Sequence, residues 1–458
     1  MSTEWTESRS DPGIFNSSAR WDRVIDFIVI MSIFHCLGFP GSYDVLIGDR
    51  LYFLMDYALF ALEIVLMIYT SSSDLISVKL LDLKRQYWPI YLFVAVVFIE
   101  SVCVASSFQD EFIRCLHFST TVFYAIWMME RYDLLRLLEL FVRAQNLIVI
   151  SCIAMIFLSY NTAFVSGDSA IPFFTGIFRV KNECGSELSF GIILQLVYFT
   201  VSRRKGKSIP RSHLLFFVFD VMFLFLTQAT GSIITTLAAS LFILLAAHSQ
   251  KTGRSKTRQG HISFGVLYIA VSVLFVVVVF TILPLFKPIL DTLGKDITLS
   301  GRTVIWKRVM DIMLRHHTWT GWGYFNFWRE RKSLAMVHMG FREYSFFRKM
   351  DYGAHNDLFE LWANIGLIGL GLYYFLLIYA FRDMKRLTDD EYLFCGSIMI
   401  LETVHGLTER TFTINLYQTQ MLFVVLAAAC RSMWIHREKP QVYRRRIGGM
   451  RADDGRQT

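Results

Sequence analysis

Residues 352–369 read YGAHNDLFELWANIGLIG, which places a histidine and an asparagine at the lip of an otherwise apolar run. Imidazole is costly inside hydrocarbon, so His355 is either a satisfied structural group or a working one. Neutral imidazole removes a proton from a hydroxyl at working pH. Two other stretches supply cations: GIFRVKNECG (176–185) carries Arg179 and Lys181, and LGKDITLSGRTVIW (293–306) carries Arg302. The planar fork of Arg matches phosphate oxygens, and Lys acts as a point charge. Gly176, Gly185 and Gly301 allow backbone N–H groups to approach the same anion. Cations for a phosphate and a base for a hydroxyl describe transfer from a lipid phosphate to an alcohol. Asn182 and Asn356 stand beside these groups as polar contacts for substrate, and Asn356 also fits a helix cap.

The elements that must position these groups are membrane helices. Of 458 residues 54% are hydrophobic and only 18% charged, with 41 Phe, which is far from soluble composition. The apolar residues cluster into runs long enough to cross roughly 30 Å of hydrocarbon. Twelve spans are expected, near 24–39, 51–70, 88–105, 115–129, 147–160, 188–201, 214–227, 232–248, 264–286, 357–381, 392–406 and 415–434. The pair around Thr230-Gly231 reads as a tight hairpin or as one broken span. The polar first twenty residues lack the apolar core of a cleavable signal, so the first span is expected to be retained.

Charge assigns the sides. With both termini cytoplasmic, the inside segments hold 29 of the 46 Lys and Arg, the short outside segments 5, and the long outside loop 287–354 the other 12. SRRKGKSIPR and VYRRRIGGMR are the clearest inside pieces. The net charge of +8 is therefore a topology signal with attraction to anionic lipid, not a nucleic-acid footprint. This sidedness turns His355, Arg302, Arg179 and Lys181 outward.

The whole chain, 1–458, reads as one integral membrane domain with a basic cytoplasmic tail at 435–458. Within loop 287–354 an amphipathic helix is expected from about Arg302 to His316, with Val304, Ile305, Val309, Ile312 and Met313 near one face. A basic string follows, Arg329, Arg331, Lys332, Arg342, Arg348 and Lys349, which fits a solvated face or contact with acidic sugar or diphosphate. Seven scattered Cys and the His316-His317 and His338 positions show no metal-ligand spacing, and no cofactor is called for. Asp56, Glu63, Glu100, Asp220 and Glu402 lie inside expected spans, where ionisable groups are functional candidates by default. Glu63 or Glu100 could pair with His35 or an interfacial Arg; none of the five has an assignment.

These segments resemble the O-antigen ligase and Wzy-type polymerase family, in particular its exopolysaccharide-polymerase branch. His355-Asn356, nine residues, then Gly366-Leu-Ile-Gly369 match an H-N-x9-G-x-x-G pattern at every fixed position. Leu299-Ser-Gly-Arg302, Trp306 and Gly321-Trp-Gly323 resemble a GR…W…GxG stretch, and Thr408-Glu409-Arg410 stands where members carry a short polar motif between the last spans. An Arg-x15-Gly spacing found in some polymerases is absent, since position 195 is Gln. The resemblance implies an all-α, GT-C-like, metal-independent enzyme of the bacterial cytoplasmic membrane with its active site facing the periplasm. Its donor would be a polyprenyl (undecaprenyl) diphosphate-linked oligosaccharide, and a chain-length regulator is a possible partner. Carried over, Arg302 with Arg179 or Lys181 would hold the diphosphate, and His355 would activate the acceptor hydroxyl. Three activities remain open here: a polysaccharide polymerase, a ligase that uses lipid A-core or protein as acceptor, and a transporter of lipid-linked glycan. The transporter accounts for the spans and intramembrane acids but has no use for outward cations beside His355.

Overall fold

The computed structural model describes residues 12–38, 49–72, 86–104, 107–166, 171–251, 264–279, 301–340, 353–382, 386–409 and 421–432. Most of them are helical: α1 (Pro12–Gly38), α2 (Asp49–Ser72), α3 (Trp88–Val104), α4 (Phe108–Arg131), α5 (Leu134–Leu158) and the single turn α6 (Tyr160–Ala163), then α7 (Lys181–Arg204), α8 (Arg211–Thr227), α9 (Thr230–Lys251), α10 (Phe264–Val277), α11 (Arg302–Arg315), α12 (Arg331–Gly340), α13 (Asp357–Phe381) and α14 (Asp389–Gly406). A last helix, α15, covers Met421–Ser432. Each expected span overlaps one of these helices, and four (α5, α7, Thr230–Gln250 of α9, and α13) are long and apolar enough to cross a membrane. The chain is a multi-pass membrane protein.

Two differences stand out. First, α5 begins at Leu134, well before the apolar run at 147, because Arg136, Glu139 and Arg143 dilute an amphipathic first half whose Leu135, Leu137, Leu138, Leu140 and Phe141 are buried. Its start is capped by Asp133, which accepts from Arg136 N at 3.2 Å. Second, the chain is not wholly α: β1 (Phe164–Val165) and β2 (Phe173–Phe174) pair antiparallel just before α7. Glu63 accepts a hydrogen bond from Ser32 across α1 and α2. Residues 287–300 and 341–352 of the long loop, Arg342, Arg348 and Lys349 among them, lie outside the described residues, as do the tail 435–458 and the side chain of Asp56.

The central helices are ordered by their contacts. The start of α7 meets the start of α9, since a Cβ on Gly185 would stand 2.9 Å from Ser232 Oγ and 2.6 Å from Ala229 Cβ. Farther along, Gln195 bonds Asp220 of α8, and Tyr198 packs on His213. The far end of α7 reaches Asp390 through Arg204 at 3.4 Å, and Gln250 at the end of α9 bonds Asp389 O at 3.2 Å. So α8 runs antiparallel to α7, α9 runs back alongside it, and the turn at Gln228-Ala229 is a tight hairpin, not a broken span. Gln228 takes the left-handed conformation that closes it (φ 55°). One end of this bundle carries the starts of α7 and α9 and the finish of α14. The opposite end carries the basic segment Arg203, Arg204, Lys205 and Arg211.

A second, smaller core covers the first end. Ile305, Trp306, Val309, Ile312 and Met313 form the buried face of α11, which packs with Trp322, Phe327 and Val337 onto Phe359 and Ala363 of α13. Trp306, not Val304, anchors this face: its ring stacks on Phe359 at 5.6 Å, whereas Val304 is only partly buried.

Candidate active site

Four segments meet at this end, and a carboxylate joins them. Glu409 lies three residues past α14, in a turn closed by its own N–H to His405 O at 2.9 Å. Its Oε1 accepts from Arg302 Nη2 at 2.6 Å and from Asn182 Nδ2 at 2.9 Å. Its Oε2 lies 3.0 Å from Nδ1 of His355. The cluster is not sealed, since the side chains of Arg302 and His355 are each 20% exposed and that of Glu409 14%. Burial disfavours charge on Glu409, but the His355 hydrogen bond and the Arg302 guanidinium outweigh it and hold the carboxyl below the ordinary value of 4.5. An ionised carboxylate only accepts, so His355 Nδ1 must carry a proton, which in the neutral ring leaves the lone pair on Nε2. Neither Nε2 of His355 nor Nε and Nη1 of Arg302 makes a hydrogen bond among the described residues.

Local sequence explains how each group is placed. Gly301 starts α11 in the left-handed region (φ 84°), which puts Arg302 in the first turn. Asn182 is the second residue of α7. His355 itself adopts φ +48°, a conformation that costs a non-glycine residue about 1–2 kcal/mol, so neighbours must hold it there. Asn356 does so from one side. Its Oδ1 caps α13 by accepting from Leu358 N at 3.0 Å and Phe359 N at 3.3 Å, while its Nδ2 donates to Leu407 O at 3.0 Å. Asn356 is thus a helix cap and a tie to the end of α14.

The motif glycines serve backbone contact. α13 is broken at Gly366 (φ 61°, ψ −173°). The chain at 318–323 fills the break: Trp322 N bonds Ala363 O at 3.0 Å, Gly323 N bonds Asn364 O at 2.9 Å, and Leu367 N bonds Thr318 O at 3.0 Å. A Cβ on Gly366 would lie 2.2 Å from Trp319 O, and one on Gly321 would lie 2.4 Å from Asn364 O. Irregular backbone near the membrane is tolerated only where protein satisfies it, as here.

Helix ends add to the electrostatics. The N-termini of α7, α11 and α13 converge on the cluster, and α9 begins beside it, with Gly231 facing Thr408. Each N-terminus carries roughly half a positive charge, which favours an anion, although Asn356 already takes two N–H groups at α13.

Of the residues expected from sequence, Arg302, His355 and Asn182 come together directly, and Asn356 supports them. Lys181 adjoins Asn182, with its ammonium 5.0 Å from the Phe173 ring centroid. Arg179, two residues before Lys181 and ahead of α7, is exposed. Arg329 lies over Phe325 at 4.3 Å and within electrostatic reach of Glu111, and Arg331 is exposed at the start of α12. The joining role of Glu409 was not legible in the sequence, which marked it only as part of the polar Thr408-Glu409-Arg410 stretch between the last spans. Asp220 is no part of this site: it is buried in the bundle, accepting from Gln145 at 2.8 Å and from Gln195.

Comparison with known proteins bears on this arrangement. A family model described as O-antigen ligase matches residues 215–374, which include Arg302 and His355. The resemblance to the O-antigen ligase family is borne out. The exopolysaccharide production protein ExoQ of Rhizobium meliloti (strain 1021) is 27% identical over 224 residues. The match covers 48% of this chain and 48% of that relative, so the chain spans about half the length of the curated relative it matches. Asn182 and Glu409 lie outside the O-antigen ligase match, and it is the fold that brings them to its motif residues.

Proposed function

We propose that this protein is a glycosyltransferase that polymerises polysaccharide on the outer face of a bacterial cytoplasmic membrane, from a polyprenyl diphosphate-linked donor. The observation that carries the reading is the Glu409 cluster, in which a histidine base and an arginine share one ionised carboxylate at a mouth ringed by helix N-termini. Glu409 accepts from His355 Nδ1, so Nε2 takes the proton of the acceptor sugar hydroxyl. The freed oxygen attacks the anomeric carbon of the donor, whose bond to the diphosphate oxygen breaks. The leaving diphosphate takes that electron pair, and its charge is met by the remaining N–H donors of Arg302, by Lys181 or Arg179, and by the helix ends. Arg329 and Arg331 would meet acidic sugar or phosphate beyond this point.

The sidedness has support from geometry. The cluster and the basic segment 203–211 lie at opposite ends of α7 and α8, so the tendency of positive charge to stay inside the cell supports an outward-facing cluster. Twelve crossings with both termini cytoplasmic fit that placement. A ligase would use the same chemistry with lipid A-core or protein as acceptor, and the description of the matched family keeps that reading in play. Purified protein given undecaprenyl diphosphate-linked oligosaccharide tests the proposal. Longer chains are expected; a conjugate to a second acceptor would make the protein a ligase, and unchanged glycan would contradict both.

A further inference from the structure

The peptide just before His355 is gripped from two sides. Trp306 of α11 donates its indole Nε1–H to Ala354 O at 2.5 Å. Ala354 N donates to Glu360 Oε2 at 2.8 Å. Glu360 sits on the first turn of α13 and is 0% exposed. Its carboxylate also accepts from Trp328 Nε1, at 2.9 Å to Oε1 and 3.0 Å to Oε2, and from Asn364 Nδ2 at 3.2 Å. Three N–H donors from three segments therefore surround one buried carboxylate, and no neutral side chain of this size accepts from them all.

The consequence falls on His355. Its φ of +48° is unfavourable and rests on its flanking contacts. Asn356 fixes the following residue to Leu407, and the Glu360–Trp306 clamp fixes the preceding peptide. Trp328 and Asn364 belong to the interlock between the 318–328 segment and the break in α13. Glu360 thus links that interlock to the histidine. We infer that Glu360 is a positioning residue for His355, acting through the Ala354 peptide to hold the imidazole over Glu409. The inference rests on His355 being the base of the proposed reaction.

The test uses the full-length purified protein with undecaprenyl diphosphate-linked oligosaccharide, following kcat and donor KM separately. Glu360→Gln keeps the shape but turns an NH2 toward Asn364 Nδ2–H. Its kcat is expected to fall at least about ten-fold, as for a slightly misplaced catalytic group, with donor KM little changed. Thermal melting is followed on the same preparation, since Asn364 Nδ2 keeps its bond to Glu360 O (2.8 Å) in the variant and holds this turn of α13. A fall in kcat measured well below Tm, on protein that still melts cooperatively, is expected of a misplaced base and not of simple destabilisation. Wild-type turnover in Glu360→Gln, a change in donor KM alone, or a kcat loss confined to temperatures where the variant unfolds would each overturn the inference. His355→Ala in the same assay separates the two ideas. If it is inactive while Glu360→Gln is normal, only the positioning role fails; if it is fully active, the base reading fails and this one with it.

Discussion

Two carboxylates in this protein are each held by N–H donors from different segments, yet they occupy opposite kinds of place. Asp220 is sealed in the bundle with Gln145 and Gln195, at 0%, 1% and 0% exposure, and every partner is an amide. Glu409 sits at the bundle's mouth, and its partners include a histidine and an arginine that reach the outside. The pair shows that an acid at membrane depth does not by itself mark function. Amide partners in a closed interior bind α5, α7 and α8 together. A titratable partner at an open edge, with one ring nitrogen to spare, is equipped for proton transfer.

Substitutions should separate the two places, and the largest effect is expected at the open one. His355→Ala should lower kcat by about 10²–10⁴-fold, the usual worth of a positioned base, with the protein still present in the membrane. Normal polymer synthesis would erase the distinction drawn between the two carboxylates. Arg302→Lys keeps the charge but removes the planar fork, which grips Glu409 and, in the proposed reaction, would meet the diphosphate. Loss of one charge-assisted contact of about 1.5–3 kcal/mol corresponds to roughly 10–100-fold in kcat/KM, and steady-state kinetics on donor lipid would read it.

Acid should act on Glu409 in a defined direction. Its carboxyl is held below 4.5 in the folded protein. A depressed carboxyl contributes stability above its unfolded value and loses it as pH falls through the folded value. The difference in Tm between wild type and Glu409→Gln should therefore stay constant from pH 7 down to about 4.5 and shrink only below that. A difference that already shrinks between pH 7 and 5 would mean that Glu409 is not an ion-paired carboxylate. The smallest effect on turnover is expected at the sealed site. Asp220→Asn should leave kcat within about two-fold while lowering Tm, since it disturbs a buried amide network and no reacting group. A large loss of turnover at unchanged Tm would bring Asp220 into the chemistry.

Much of this was legible in the sequence because membrane physics simplifies it. Every run picked out by hydropathy overlaps a helix, four of them long and apolar enough to cross a membrane, and the H-N and GR motifs marked His355 and Arg302. What escaped depended on tertiary contact. The amphipathic first half of α5 hides its length, since charges on one face lower the average hydropathy of a helix whose other face is buried. Glu409 is one acid among several, and only the approach of α7, α11 and the α13 entry gives it partners. The motif glycines were visible, but their cause, backbone laid on backbone at Gly321 and Gly366, is a property of two segments more than forty residues apart.

The most direct measurement is cryo-electron microscopy of the purified protein loaded with undecaprenyl diphosphate. The account predicts diphosphate density within hydrogen-bond reach of the Arg302 guanidinium and next to His355, at the end of the bundle away from Arg203 and Arg204. Density at the Arg203–Arg204 end, or anywhere apart from the Glu409 cluster, would contradict it.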